Sequence, residues 1–162
     1  MKERNRISFI SDQLKRSFEG NAWHGPALME VLTGVTASQA AHRPIASAHS
    51  AWEIVAHLTT WKRVAARRLR GEVVNVTDEQ DWPAVGHQTE AAWEKALSEL
   101  KAAQQELIAS TERLADADLQ DKVPETTYNV EFLLIGTLEH DLYHTGQVSL
   151  LKKAHATASA VA

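Results

Sequence analysis

From Ser50 to Arg70, and again from Thr89 to Leu114, the chain runs without a glycine or a proline. Its apolar residues recur there every three or four positions, a spacing that lines one side of an α-helix and neither face of a strand. Trp93, Leu97, Leu100, Leu107 and Leu114 mark the apolar side of the later segment. Ile7, Ile10, Leu14 and Phe18 do the same near the start. Strict alternation is nowhere sustained. With only seven Gly and four Pro, and segments rich in Ala, Leu, Glu, Lys and Gln, the composition agrees with the spacing. The fold class this predicts is all-α.

The punctuation divides the chain. Gly20-Asn21 breaks or kinks the first helix, and Pro26 opens a second piece through "ALMEVLTGV". "TASQAAHRP" reads as a short capped turn. Ser50-Ala51-Trp52-Glu53 is a capping box, and the helix it starts runs to Arg70 and stops at Gly71. Residues 72–88, with Pro83 and Gly86, form a long connection, and "ADADLQDKVPETTY" forms another. Asn129 caps a last helix reaching about Ala154. The expected architecture is a four-helix bundle with long inter-helix connections: one domain over residues 1–154, and a frayed tail over 155–162.

Composition narrows the function classes. The 162 residues carry a formal net charge of −4, which argues against a general nucleic-acid binder. No cysteine is present, so disulfides, thiolate metal sites and a cysteine nucleophile are excluded. The N-terminal segment is charged throughout and no stretch is long and apolar enough to span a membrane. A cytoplasmic protein is expected.

Eight histidines remain as the borderline ligands, together with Asp and Glu. His140 and His144, in "HDLYHTGQ", stand one turn apart on one side of the last helix. They share that stripe with Leu133, Thr137, Val148 and Leu151. His57 lies two turns into the second long helix, on the stripe of Glu53, Ile54 and Trp61. One imidazole from one helix and two from another can meet in a bundle interior and leave coordination positions open. Three histidines on apolar faces can equally be hydrogen-bonded core residues. Spacing alone leaves both readings standing.

The segments "HSAWEIVAHLTTWKR" and "EHDLYHTGQVSLLKK", with the trailing Gly146-Gln147, resemble the DinB/YfiT-like family across most of the chain. The resemblance implies a four-helix bundle holding a divalent metal with three histidines, one from the second helix and two from an H-x-x-x-H on the last. Carried onto this sequence, those positions are His57, His140 and His144, all of them filled. It further implies a metal-dependent hydrolase, or a thiol S-transferase that uses a low-molecular-weight thiol such as bacillithiol or mycothiol. Related bundles also pair as homodimers.

Such a site would activate water or a thiol cosubstrate. Zinc is the first expectation, with nickel, iron and manganese compatible with imidazole ligands. The rival expectation is a non-catalytic metal- or ligand-binding bundle, a stress-related protein. No general base is unambiguous. Glu53 can orient His57 or act as a base, or simply complete its capping box. Gln147 can reach a bound ligand or bridge helices. Trp61 and Tyr143 are candidate pocket walls, and His24 and His49 candidate visitors from loops. His42, His87 and His155 are expected to be exposed, as are Asp141 and Glu139 unless they pair with Lys or Arg. The basic run "KRVAARRLR" at 62–70 reads as a solvated helix end, with recognition of an anionic cosubstrate as the sharper alternative.

Overall fold

A computed structural model describes residues 5–160, with side chains described as far as residue 155. Its elements are α1 (Arg6–Glu19), α2 (Leu28–Leu32), α3 (Ala37–Ala41), α4 (Ala51–Leu69), α5 (Asp78–Asp81), α6 (Glu90–Thr111), a 3₁₀ turn (Asp116–Gln120) and α7 (Val130–Ala160). Among the described residues the only strand-like pairing is an isolated antiparallel bridge between Lys122 and Asn129. The all-α expectation therefore holds.

Local chemistry sets most of the helix ends. The Asn5 side chain accepts from the Ser8 amide at 2.9 Å and starts α1. Gly20 ends it at φ 152°, and a Cβ built there would come within 3.2 Å of Glu30 Oε1. Ser50 and Glu53 form the expected capping box: the Glu53 amide donates to Ser50 Oγ at 3.2 Å and the Ser50 amide to Glu53 Oε2 at 2.7 Å. Asn129 Oδ1 accepts from the Phe132 amide at 2.9 Å at the head of α7.

Three differences from the sequence reading are informative. Pro26 stands ahead of α2, whose N-cap is Ala27, and the helix ends at Leu32, short of the expected span. The connection at 72–88 is not wholly irregular, because Thr77 and Gln80 cap each other and wind α5. The last helix continues past Ala154 to Ala160. The expectation of fraying falls largely on residues 156–162, whose side chains lie outside the described set.

The four longer helices pack together, α4 against α6 and α7, and α1 against α6 and α7. Their interior is not uniformly apolar. One apolar cluster gathers Trp52, Ile54, Leu58, Trp93, Val148 and Leu151; another gathers Ile10, Leu14, Ala65, Leu107, Val130 and Leu134. Along α4 and α7, a buried polar layer lies between these clusters. It contains His57, Thr59 and Lys62 from α4, and Thr137, Asp141, His144 and Thr145 from α7, with Gln104 from α6. Burying this many polar groups is tolerated only where they bind one another or a ligand.

Candidate metal centre

The two histidines of that layer, His57 and His144, meet the half-buried His140 at their Nε2 atoms. His57 Nε2 lies 2.9 Å from His140 Nε2, and His144 Nε2 lies 3.1 Å from the same atom. His57 and His144 are buried and His140 is half-buried. The other ring nitrogens explain why these rings face inward. His57 Nδ1 donates to the Asp81 carbonyl oxygen at 2.7 Å, and His144 Nδ1 donates to Gln147 Oε1 at 2.6 Å. A carbonyl oxygen only accepts, so in both neutral rings Nδ1 carries the proton and Nε2 presents a lone pair.

His140 Nε2 thus faces two lone pairs and can donate a proton to only one of them. At least one buried contact between acceptors is left uncompensated, which is the arrangement a cation resolves. Three neutral imidazoles are an appropriate donor set for a divalent ion of zinc type. The two shorter separations are 2.9 and 3.1 Å, and the three donor atoms all lie within 4.8 Å of one another, close enough to converge on one ion, so the residues present fit the group.

Electrostatics keep the donors neutral. Burial pushes His140 down from the usual imidazole value of 6.5 to about 3, with the neighbouring His144 and His57 acting in the same sense. Burial also lowers His57 and His144, against the opposing hydrogen bonds to Asp81 and Gln147. An imidazole depressed in the fold binds fewer protons than in the unfolded chain, so stability rises with pH between the two values. The metal-free protein should accordingly be fully stable above pH 6.5 and lose stability progressively as pH falls towards 3. Urea midpoints across that range, measured with a chelator present, check this.

Residues of α5 and just after it complete the surroundings, and the sequence reading missed them. Asp81 offers its carbonyl to His57 and accepts from Trp61 Nε1 at 2.6 Å through Oδ1. Trp82 stacks on the His57 ring with centroids 3.9 Å apart, and His49 stacks on Trp82 at 3.6 Å. The Thr77-Asp78-Glu79-Gln80 capping box was the available signal, being of the same kind that announced α4.

Of the named candidates, Gln147 is brought to the cluster and orients His144. Glu53 is engaged elsewhere: its oxygens take the Ser50 amide and the Arg43 guanidinium, and His49 lies 3.9 Å away. His49 stacks on Trp82 and lines the cavity beside His144, while His24, His42 and His87 are exposed. His155 is half-buried, its ring 5.2 Å from that of His42. Glu139 is exposed as expected.

For Asp141 the second of the two expected alternatives holds, pairing with a lysine, and the pair lies in the interior. Asp141 is 1% exposed and accepts from Lys62 Nζ at 2.5 Å. Lys62 is 1% exposed too, so the first residue of the basic run is a core residue. Lys62 Nζ also donates to Gln104 Oε1 at 2.8 Å, and Gln104 Nε2 donates to the Leu14 carbonyl at 2.9 Å. One chain of hydrogen bonds thereby joins α7, α4, α6 and α1. Arg67 and Arg70 pair with Glu72 and Glu106 at the helix end, and Arg68 donates to the Tyr128 hydroxyl and the Val74 carbonyl.

Two cavities touch the cluster. One of about 550 Å³ is walled by Ile45, Ser47, Ala48, His49, Ile54, Trp82, Tyr143, His144, Gln147, Leu150 and Leu151. Another of about 250 Å³ has Trp61, Arg68, Tyr128, Phe132 and His140 in its wall. Tyr143 and Trp61 are therefore pocket walls, one on each side. No helix among the described residues is long and apolar enough to cross a membrane.

No curated protein and no solved structure matched the chain in comparisons with known proteins. A family model described as the DinB superfamily matches residues 22–148, which spans α2 to most of α7 and includes all three histidines. That match covers well over half of the sequence, and the chain belongs to the DinB superfamily.

Proposed function

We propose that the protein is a divalent-metal-dependent enzyme in which His57, His140 and His144 hold the ion at the centre of a four-helix bundle. The observation that carries this reading is the convergence of three Nε2 atoms whose two outer rings have already committed their Nδ1 protons to Asp81 and Gln147. Zinc is the expected ion, with nickel, iron or manganese as alternatives. Bound there, the ion would polarise a small substrate and lower the pKa of water or a low-molecular-weight thiol, the chemistry of a hydrolase or a thiol S-transferase.

The chain's own residues supply the rest. Asp81 and Gln147 hold the imidazole tautomers, Trp82 shields the His57 ring, and the cavity beside His144 gives a small molecule access. No cysteine is present, so thiol chemistry requires a bound thiol cosubstrate. The alternative is a non-catalytic metal-binding, stress-related bundle, in which all coordination positions would be closed by protein. The large cavity at His144 favours the enzyme. A homodimer in the cytoplasm completes the proposal, by analogy with related bundles.

Elemental analysis of the purified protein after dialysis against metal-free buffer tests the site. About one equivalent of divalent metal is expected in the wild type and a small fraction of that in His144→Ala. Wild-type protein that takes up no zinc, nickel, iron or manganese on add-back would return the histidines to the core.

A further inference from the structure

The cavity on the His144 side has a composition that limits what it can accept. No Lys, Arg, Asp or Glu lines it. Its polar groups are Ser47, His49, His144, Gln147, the Tyr143 hydroxyl and the Trp82 indole N–H, all uncharged at neutral pH save an imidazole when protonated, and Gln147 already gives Oε1 to His144, so it offers the cavity its amide NH₂. The remaining wall is aliphatic and aromatic. Large hydrophobic side chains are exposed at seven described positions, and three of them, Ile45 at 46%, Tyr143 at 65% and Leu150 at 62%, stand at this one mouth. Apolar groups clustered in this way around a concave opening mark a binding site. The volume of about 550 Å³ suits a molecule of one or two rings.

We propose that this chamber takes an uncharged small molecule with an apolar, ring-containing body and one electron-pair donor at its end. The body lies against Trp82, Tyr143 and Leu150, and the donor points to the three-histidine cluster. A charged group on the body would be desolvated with no counter-charge in the wall, which the lining forbids. The direction of the donor end rests on the metal reading above. The preference for an uncharged apolar body does not, because it comes from side chains that bind no ion.

Calorimetric titration of metal-free protein at pH 8 separates the two readings, with 2-naphthalenemethanol as the uncharged probe and 2-naphthoate as its anionic counterpart. The alcohol should bind at least tenfold more tightly than the carboxylate. Leu150→Asp, a change at an exposed helix position, should weaken alcohol binding at least tenfold with unchanged helical circular dichroism. Equal binding of the two probes, binding of neither, or indifference of alcohol binding to Leu150→Asp would each overturn the assignment. Alcohol binding that falls away as protein concentration rises would mark the mouth as a contact between copies of the chain, and would also overturn it. If the alcohol binds as expected while the protein takes up no metal, the chamber stands and the metal reading falls; the converse result removes the chamber alone.

Discussion

Lys62→Met should lower the unfolding free energy of the metal-free protein by about 3–5 kcal/mol, the usual cost of removing one partner from a buried ion pair. The ammonium is 1% exposed and holds the Asp141 carboxylate and the Gln104 side-chain oxygen together. The ammonium takes Asp141 Oδ2, while Asp141 Oδ1 is buried with no hydrogen-bond partner. Burial already pushes the Asp141 carboxyl upward, and Lys62 is the group that opposes this. Without it, the site keeps a carboxyl that is either charged and unpaired or neutral and poorly bonded. Lys62→Met combined with Asp141→Leu should recover most of the loss, because an apolar pair of similar volume avoids both desolvation penalties. Urea unfolding with an unchanged slope and a shifted midpoint is the measurement. A single variant as stable as wild type would show that the pair contributes nothing.

Zinc should stabilise the wild-type protein by about 4 kcal/mol when its free concentration is a thousandfold above its dissociation constant. The gain should follow the logarithm of zinc concentration, as it does for an ion that binds an assembled cluster and not the scattered histidines of an unfolded chain. Gln147→Ala makes the sharper case. The variant keeps all three imidazoles but loses the acceptor that fixes the His144 proton on Nδ1. Loss of such an orienting partner typically weakens metal affinity about 10–100-fold. The stoichiometry should stay at one equivalent while the zinc-dependent rise in unfolding midpoint begins at a correspondingly higher concentration. A variant with wild-type affinity would mean that the His144–Gln147 hydrogen bond does not set the ligand's tautomer.

How much of this could be read in the sequence depended on the range over which each signal acts. The capping box at Ser50 and the cap at Asn129 are local, so those helix starts were visible. The three histidines were visible as inward stripes on two helices, because helical periodicity places a side chain on a face. Periodicity does not say what lies opposite. Lys62 and Asp141 are each unremarkable charged residues, and only the packing of α4 on α7 shows that they are partners. Asp81 and Trp82 were hidden for a related reason: they sit in a connection whose path depends on tertiary contacts. For Glu53 the sequence left a role at His57 and a role as a cap both open, and the structure favours the cap, with Arg43 and His49 drawing it further in that direction.

The polar layer between the two apolar clusters also bears on how the chain chooses one arrangement of helices. An apolar stripe repeating every three or four residues looks much the same after α7 slides along α4 by one turn, about 5.4 Å. Leucine would meet valine in place of leucine, at small cost. The Lys62–Asp141 pair and the three imidazoles admit no such slip, since a one-turn shift would leave both charges alone in the interior. The same layer that gathers the candidate ligands therefore acts as the index mark of the assembly, and the apolar ends contribute cohesion without having to be selective.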